Sequence, residues 1–356
     1  MKFLFFFPWL FASLALAQDD WAGKRYEENG VTVIENYGRA LYPDDAFRLE
    51  PQLTIGDEST TYEGEPLGTL AGVAVDERGQ LYLADKSNSR VLVLTPDGRF
   101  VRSFGQKGKG PGEFVAISGI ELDEAGLLYV LDRGQRRIHI WHPEGRFLRS
   151  FPVPGLATAF DVKNAGNIYV APYSFLSKKY LIVQFDSTGR RVREFREKSP
   201  ETDRVSQAGA SARIRVWGDR LFYSLSYPYR IERYSLTGGL EQVILLRRSG
   251  FRAPTSAKVV SGPKGKHVIG GTLPAQTRNF CIDSDGRLFV QVTFDRGRNE
   301  LDIFSPDGKY LQTLTLPEEQ VLAEVKGDRL YTFVRGTMEG FPSVTRWRVS
   351  IKVPTD

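Results

Sequence analysis

Residues 72–104, GVAVDERGQLYLADKSNSRVLVLTPDGRFVRSF, lie over residues 119–151, GIELDEAGLLYVLDRGQRRIHIWHPEGRFLRSF, without a gap at a shift of 47, and 15 of the 33 positions are identical. A repeat of this period restricts a chain to a ring, stack or array of similar units. The shared residues fall where turns and strand starts belong. Asp76 and Asp123, with Gly79 and Gly126, predict a tight turn, and Leu81-Tyr82 and Leu128-Tyr129 open the next strand. Pro96-Asp97-Gly98 and Pro143-Glu144-Gly145 predict a second hairpin. Apolar residues alternate between these turns, so each unit reads as four short strands.

The pattern returns more loosely at 160–195, 213–239, 279–314 and 323–353, which makes six units. Units of this size with four strands each predict an all-β fold, a six-bladed β-propeller of four-stranded antiparallel blades whose ring closure protects the sheet edges. With 41% hydrophobic residues in 356, the chain has enough apolar material for such a core. The last unit runs out of chain after TRWRVSIKV, while the N-terminal arm offers VTVIEN and RLEPQLTIG without a unit of its own. A strand of that arm, the one ending in Ile55-Gly56, is therefore expected to complete the sixth blade. The domain plan is a leader at 1–17, an arm at 18–60 carrying the closing strand, and a propeller at 61–356.

The stretch GVAVDERGQLYLADKSNSRVLVLTPDGRFVRSFGQKGKGPGEF resembles the NHL repeat, and the six-unit chain resembles the exported six-bladed propellers of bacteria that use it. In that family the glycine-rich stretch joins the outer strand of one blade to the inner strand of the next. The resemblance thus implies that GQKGKGPGEF is a connector. Its glycines, Gly105, Gly108, Gly110 and Gly112, otherwise invite comparison with a phosphate loop, but Glu113-Phe114 and a strand follow where such a loop needs Lys-Ser/Thr and a helix. The resemblance implies an architecture and leaves the activity open.

Lys2, the apolar run FLFFFPWLFASLAL and the small residues Ala15-Leu16-Ala17 form a secretory signal pattern, with a mature chain from Gln18 and no membrane span after cleavage. Export to the periplasm or exterior is expected. Cys281 is the sole cysteine, so no internal disulfide can form, and its place in NFCID predicts a buried, inert thiol. The formal charge of +5 is mild, and export argues against nucleic acid as a partner.

Propeller enzymes work in the axial channel. His139 and His142 sit three apart on a strand and leave opposite faces, and His267 lies in a connector, so the metal-holding histidines of NHL-type amidating lyases have no counterpart. If Val73/Val75, Ile120/Leu122 and their equivalents face between blades, the alternates Ala74, Glu121, Asp161, Arg215, Cys281 and Glu324 lean toward the axis. Glu121, Asp161 and Glu324 are then a candidate calcium set of the sugar-lactonase kind, although Arg215 can instead pair with the acids. No cofactor is otherwise expected.

The connectors and the loops between second and third strands share one face of the disc, and several are basic. They carry Lys107 and Lys109, then Arg133 and Arg136, and then the segment 247–278 with seven Lys or Arg and no acid. Arg247, Arg248, Arg252, Lys258, Lys264 and Lys266 lie in that segment, and Tyr173, Tyr227 and Tyr229 add rings near the same face. Such a surface suits an acidic glycan or an acidic protein, held through weak, salt-sensitive contacts. The expectation is a non-catalytic binding or scaffold propeller, with a divalent-metal channel enzyme as the alternative.

Overall fold

The repeated aspartates build the turns. In the computed structural model the Asp76 carboxylate accepts hydrogen bonds from the backbone N–H of Arg78 (2.9 Å) and Gln80 (2.8 Å), and Asp123 accepts from Ala125 (3.0 Å) and Leu127 (2.8 Å). Gly79 and Gly126 follow with φ of +81° and +79°, a region where a side chain is strained. Asp283 repeats the device in the fifth unit. The residues described are 21–153, 156–164, 166–173, 179–200, 202, 211–251, 258–262, 265–269, 275–336 and 340–352. The leader at 1–17 lies outside them.

Six antiparallel sheets result. Blade 1 is Leu70–Val75, Leu81–Asp85, Arg90–Leu94 and Phe100–Phe104; blade 2 is Ile117–Leu122, Leu128–Asp132, Arg137–Trp141 and Phe147–Pro152. Blade 3 is Ala157–Asn164, Asn167–Pro172, Tyr180–Phe185 and Arg191–Glu197. Blade 4 contains Ala212–Trp217, Arg220–Leu225, Arg230–Ser235 and Leu240–Leu246; blade 5 is Ala275–Ile282, Leu288–Phe294, Asn299–Phe304 and Tyr310–Leu316. Blade 6 takes Val321–Lys326, Arg329–Val334 and Ser343–Ile351 from the C-terminal end. Its fourth strand is Phe47–Ile55, paired from Phe47 against Ile351 to Ile55 against Val344. The ring is closed by the expected N-terminal strand.

The core lies between blades, in six apolar clusters, one for each gap. Val73, Val75, Val321 and Phe333 fill the gap between blades 6 and 1, and Tyr82, Ile120, Leu128 and Trp141 fill the next. Tyr129 with Phe160, Tyr169 with Ile214, Phe222 with Phe280, and Phe289 with Leu322 mark the other four. Tyr82, Tyr129, Tyr169 and Tyr331 stand at one register position of the second strands and are almost fully buried. Burying such a ring stabilises the fold by roughly 1.5–3 kcal/mol. With apolar contact concentrated in the gaps, the inner edges of the blades are left to polar residues.

VTVIEN has a second role. Val31–Asn36 pairs in parallel with Leu240–Leu246, and Gly23–Glu28 pairs beyond it, so blade 4 has six strands. The outermost, GKRYEE, is exposed and charged, which blunts the edge against further pairing. Asn36 then fastens blade 4 to blade 5: its amide donates to the carbonyls of Leu245 (3.0 Å) and Gly308 (3.1 Å), and its oxygen accepts from the N–H of Tyr310 (2.8 Å) and Trp21 Nε1 (2.8 Å). The chain runs on along blade 5, where Leu41 and Tyr42 bond the carbonyls of Tyr310 and Leu311, before entering blade 6. The arm is a belt over three blades. Asn36→Ala leaves the buried groups at both joins unpaired, and a loss of about 2–3 kcal/mol is expected. Thr32→Ala, whose hydroxyl meets only exposed Glu27, should cost no more than about 0.5 kcal/mol; urea unfolding midpoints of the two variants check this.

Candidate binding site at the axial channel

The ring of inner-strand residues expected at the axis is in register around the disc. Ala74, Glu121, Asp161, Arg215, Cys281 and Glu324 pair with Tyr82, Tyr129, Tyr169, Phe222, Phe289 and Tyr331 of the second strands. Arg215 Nη1 reaches past blade 3 to Glu121 Oε1 at 2.9 Å. Asp161 accepts from the N–H of Val162 and of Val216, each at 2.7 Å, and Cys281 Sγ donates to the carbonyl of Ala323. Beside this ring the channel widens into a cup of about 800 Å³ lined by the Asp76, Asp123 and Asp283 turns.

Glu121, Asp161 and Glu324 therefore come together around a guanidinium. Burial, with the charges of Asp161 and Glu324 adding to it, pushes Glu121 up to about 8 against the pull of Arg215. Asp161 and Glu324 are raised by burial as well, and the three acids hold Arg215 well above its ordinary value although its own burial opposes them. The nearby Lys326 adds its charge to that of Arg215 in opposing the rise at Asp161 and Glu324. Among the described residues no group of three His, Cys, Asp or Glu is arranged to hold a metal ion.

One turn of the pleat toward the opposite face, the chemistry inverts. The inner strands present Gly72, Gly119 and Ala159 in blades 1–3 and Arg213 in blade 4, opposite Ala84, Leu131, Ala171 and Ser224. In blade 5 the register shifts between Thr277 and Asn279, a bulge that sets Arg278 out of the ladder. Arg335, exposed, directly follows the second strand of blade 6. These three arginines and the small residues of blades 1–3 line a cavity of about 130 Å³. Arg213 is anchored by bonds from Nε to the Arg278 carbonyl and from Nη1 to Ser211 Oγ (3.0 Å) and the Ala212 carbonyl (2.7 Å). Burial first, then the charges of Arg335, Arg215, Arg278 and Arg133, press Arg213 down to about 10. Among the described residues Arg213, Arg278 and Arg335 have no acidic partner.

Of the residues expected on the basic face, Arg133 lies near enough to this mouth for its charge to act on Arg213. It occupies the same place after the second strand of blade 2 as Lys86 in blade 1, Tyr173 in blade 3 and Arg335 in blade 6. The backbone N–H groups of Lys86, Arg133 and Tyr173 bond the equivalent carbonyls of Thr69, Ala116 and Leu156. Lys107, Lys109 and Arg136 are exposed farther out on the loops. The connector bearing the two lysines is no anion cradle, because its own Glu113 accepts from Gly110 N at 2.7 Å and Gln106 Nε2 at 2.9 Å. Gly105 (φ +86°) is required there: a Cβ would lie 2.4 Å from the buried Phe114 ring.

Two expectations need correction, those for Arg248 and Tyr229. Arg248 is not free for an acidic ligand, because it pairs with Glu300 and Asp302 inside blade 5. Arg247 pairs with Glu35 of the belt and stays exposed. Tyr229 is buried against Phe251 and Phe304 and donates to Asp302 Oδ2 at 2.8 Å, so it is a packing residue. Tyr227 stacks on Phe251 at 5.7 Å and half-faces solvent. These groups line a separate hollow over blade 4 and do not join the axial mouth. Arg252 and Lys264 lie outside the described residues, as do the side chains of Lys258, Lys266 and His267. Arg213, Arg278 and Arg335 were not among the expected ligands. Strand alternation from Arg215 points to Arg213, and the repeat aligns Arg335 with Arg133, while only the bulge reveals Arg278.

The family model for the 6-bladed beta-propeller family DUF5128 matches residues 61–244, and the chain belongs to that family. None of the curated proteins matches it in sequence. The fold is similar to that of a Bacteroides fragilis protein inferred to be exported (15% identity, 90% of this chain and 100% of that chain, TM-score 0.59). It is also similar to a member of the DUF4221 family from Bacteroides vulgatus (11% identity, 87% and 100%, TM-score 0.57). A third similar structure is the virginiamycin B lyase of Staphylococcus aureus (12% identity, 85% and 99%, TM-score 0.52). At these identities the likeness is one of fold.

The acidic trio has a measurable signature. Folded Glu121 keeps a proton up to about pH 8 that the unfolded chain releases near its ordinary value, so this residue destabilises the fold increasingly as pH rises between those limits. The slope for one such group approaches about 1.4 kcal/mol per pH unit. Glu121→Gln should therefore gain on the wild type between pH 5 and pH 8, as read from paired unfolding curves; a gap constant with pH would show that Glu121 titrates normally.

Proposed function

We propose that this chain is an exported binding propeller that docks an acidic partner, a glycan or a protein surface, on the face carrying Arg133, Arg213, Arg278 and Arg335. The observation that supports it is that Arg213, Arg278 and Arg335, from three blades, line one hollow, with Arg133 near enough to act on Arg213, and that none of the four has an acidic partner among the described residues. Unpaired cations around a concave axis attract polyanions at long range and release bound counterions on contact. Lys86, Lys107, Lys109 and Arg136 extend the field outward. The signal pattern of residues 1–17 and the protein of similar fold that is inferred to be exported support a place beyond the cytoplasmic membrane. The NHL-like repeat and the division into leader, arm and propeller belong to the same reading.

The rival reading, a divalent-metal lactonase or lyase, requires Glu121, Asp161 and Glu324 to turn to a cation. Asp161 is engaged by two backbone N–H groups and Glu121 by Arg215, so the geometry favours docking. The test is retention of residues 18–356 on immobilised polygalacturonate and heparin as salt is raised. Retention that falls steeply with salt and drops at least fivefold in Lys107→Gln/Lys109→Gln/Arg136→Gln is expected. Indifference to both polymers, with calcium raising and chelator lowering the thermal midpoint, would overturn it in favour of the metal enzyme.

A further inference from the structure

We propose that the cavity at the centre of the basic face is a subsite for one multiply charged oxyanion group, a phosphate, sulfate or clustered carboxylate at the end of a ligand, clasped by Arg213, Arg278 and Arg335. This rests on the docking reading and goes beyond it, because a charged rim explains attraction and leaves unexplained why three arginines from three blades share one small hole.

Geometry and chemistry agree on the occupant. The cavity holds about 130 Å³, comparable with cavities that take a benzene-sized guest of roughly six heavy atoms. A phosphate or sulfate has five heavy atoms and fits within it; a hexose, with about twice that number, would extend out of its open side. The ligand must therefore enter by a terminal group, with its body left on the face outside. The walls are asymmetric: Gly72, Gly119 and Ala159 keep blades 1–3 open, while Arg213, Arg278 and Arg335 project from blades 4–6. A Cβ on Gly119 would press on Phe160 at 3.3 Å, whereas one on Gly72 would make ordinary contact with Ile120 at 3.4 Å. The sole acid on the wall, Glu121, is taken by Arg215.

Arg213 is built as a fixed ligand. Its Nε and Nη1 are tied to Arg278, Ser211 and Ala212, which leaves Nη2 without a partner among the described residues. Guanidinium groups match oxyanions bidentately and keep their charge when desolvated, which a lysine in this place would do less well. Arg278 stands at a bulge that blades 1–3 carry at Ala71, Ser118 and Thr158, so only in blade 5 does this recurrent position bring an arginine to the hollow. Without an anion the three cations repel one another, and that repulsion, felt at Arg213, disappears when a dianion sits between them.

The experiment follows thermal unfolding of residues 18–356 with inorganic phosphate, sulfate, citrate or chloride at one ionic strength, for the wild type, for Arg278→Gln/Arg335→Gln and for the rim variant Lys107→Gln/Lys109→Gln/Arg136→Gln. Phosphate or sulfate should raise the wild-type midpoint by several degrees at saturation while chloride does not; an advantage for citrate would assign the group to carboxylates. Arg278→Gln/Arg335→Gln should lose the response at least tenfold in affinity and, free of repulsion, unfold at a higher midpoint than the wild type when no anion is present. That opposite pair of changes is not what a damaged fold produces. The rim variant should keep the response. An equal response in the arginine variant, or none in the wild type, overturns the subsite; if polymer retention persists, the docking reading stands alone, and if it is lost too, both fall.

Discussion

Everything in this molecule depends on apolar contact between the faces of neighbouring sheets. A four-stranded blade is buried on both faces only when flanked, and six blades in a ring flank each other completely. The six clusters in the gaps, each built from rows such as Val73/Val75 against Phe333 or Tyr129 against Phe160, are the consequence. Placing the core between blades frees the inner edges. A propeller can then hold at its axis a set of charges that would wreck a sandwich or barrel of the same size, and this one holds two sets of opposite sense. The Glu121–Asp161–Glu324 group is satisfied internally by Arg215. The Arg213–Arg278–Arg335 group has no acidic partner among the described residues.

The difference between the two is a matter of chain direction as much as of residue type. Inner strands all run the same way, so one mouth collects strand starts and the opposite one strand ends. At the ends, Asp76, Asp123 and Asp283 are spent on their own turns, accepting the backbone N–H groups that follow. At the starts, the backbone is tied up between connectors and second strands, as in the bonds of Arg133 to Ala116 and Lys86 to Thr69. Asp132, Ser118 and Thr158 brace that backbone further, while Arg213, Arg278 and Arg335 keep their charges without an acidic partner among the described residues.

How much of this the sequence disclosed follows from the range of each interaction. The gapless 47-residue repeat, with Asp76/Asp123 and Leu81-Tyr82/Leu128-Tyr129 in step, carries the blade and the number of strands, because turns and alternation are local. Alternation also placed Glu121, Asp161, Arg215 and Glu324 at the axis. It did not reach Arg278, which stands at a bulge, shared with the inner strands of blades 1–3, where strict alternation fails. Nor did it show that Arg248 and Tyr229 would be consumed by Asp302, more than fifty residues away. The belt escaped for the same reason: VTVIEN is a plausible strand anywhere, and its parallel partner Leu240–Leu246 lies some two hundred residues on.

That belt bears on how the ring is assembled. Leu49 of the closing strand pairs with Val349, so the sixth blade cannot be finished until nearly all of the chain exists. A free N-terminal segment searching for an edge that distant would face a large loop-closure cost. Docking of Val31–Asn36 on blade 4 divides the search in two. Once the fourth blade has formed, only ten residues, 37–46, separate the anchored strand from the one that must close the ring. The arm is then held beside the growing disc at high effective concentration, and the last step of closure becomes a local one.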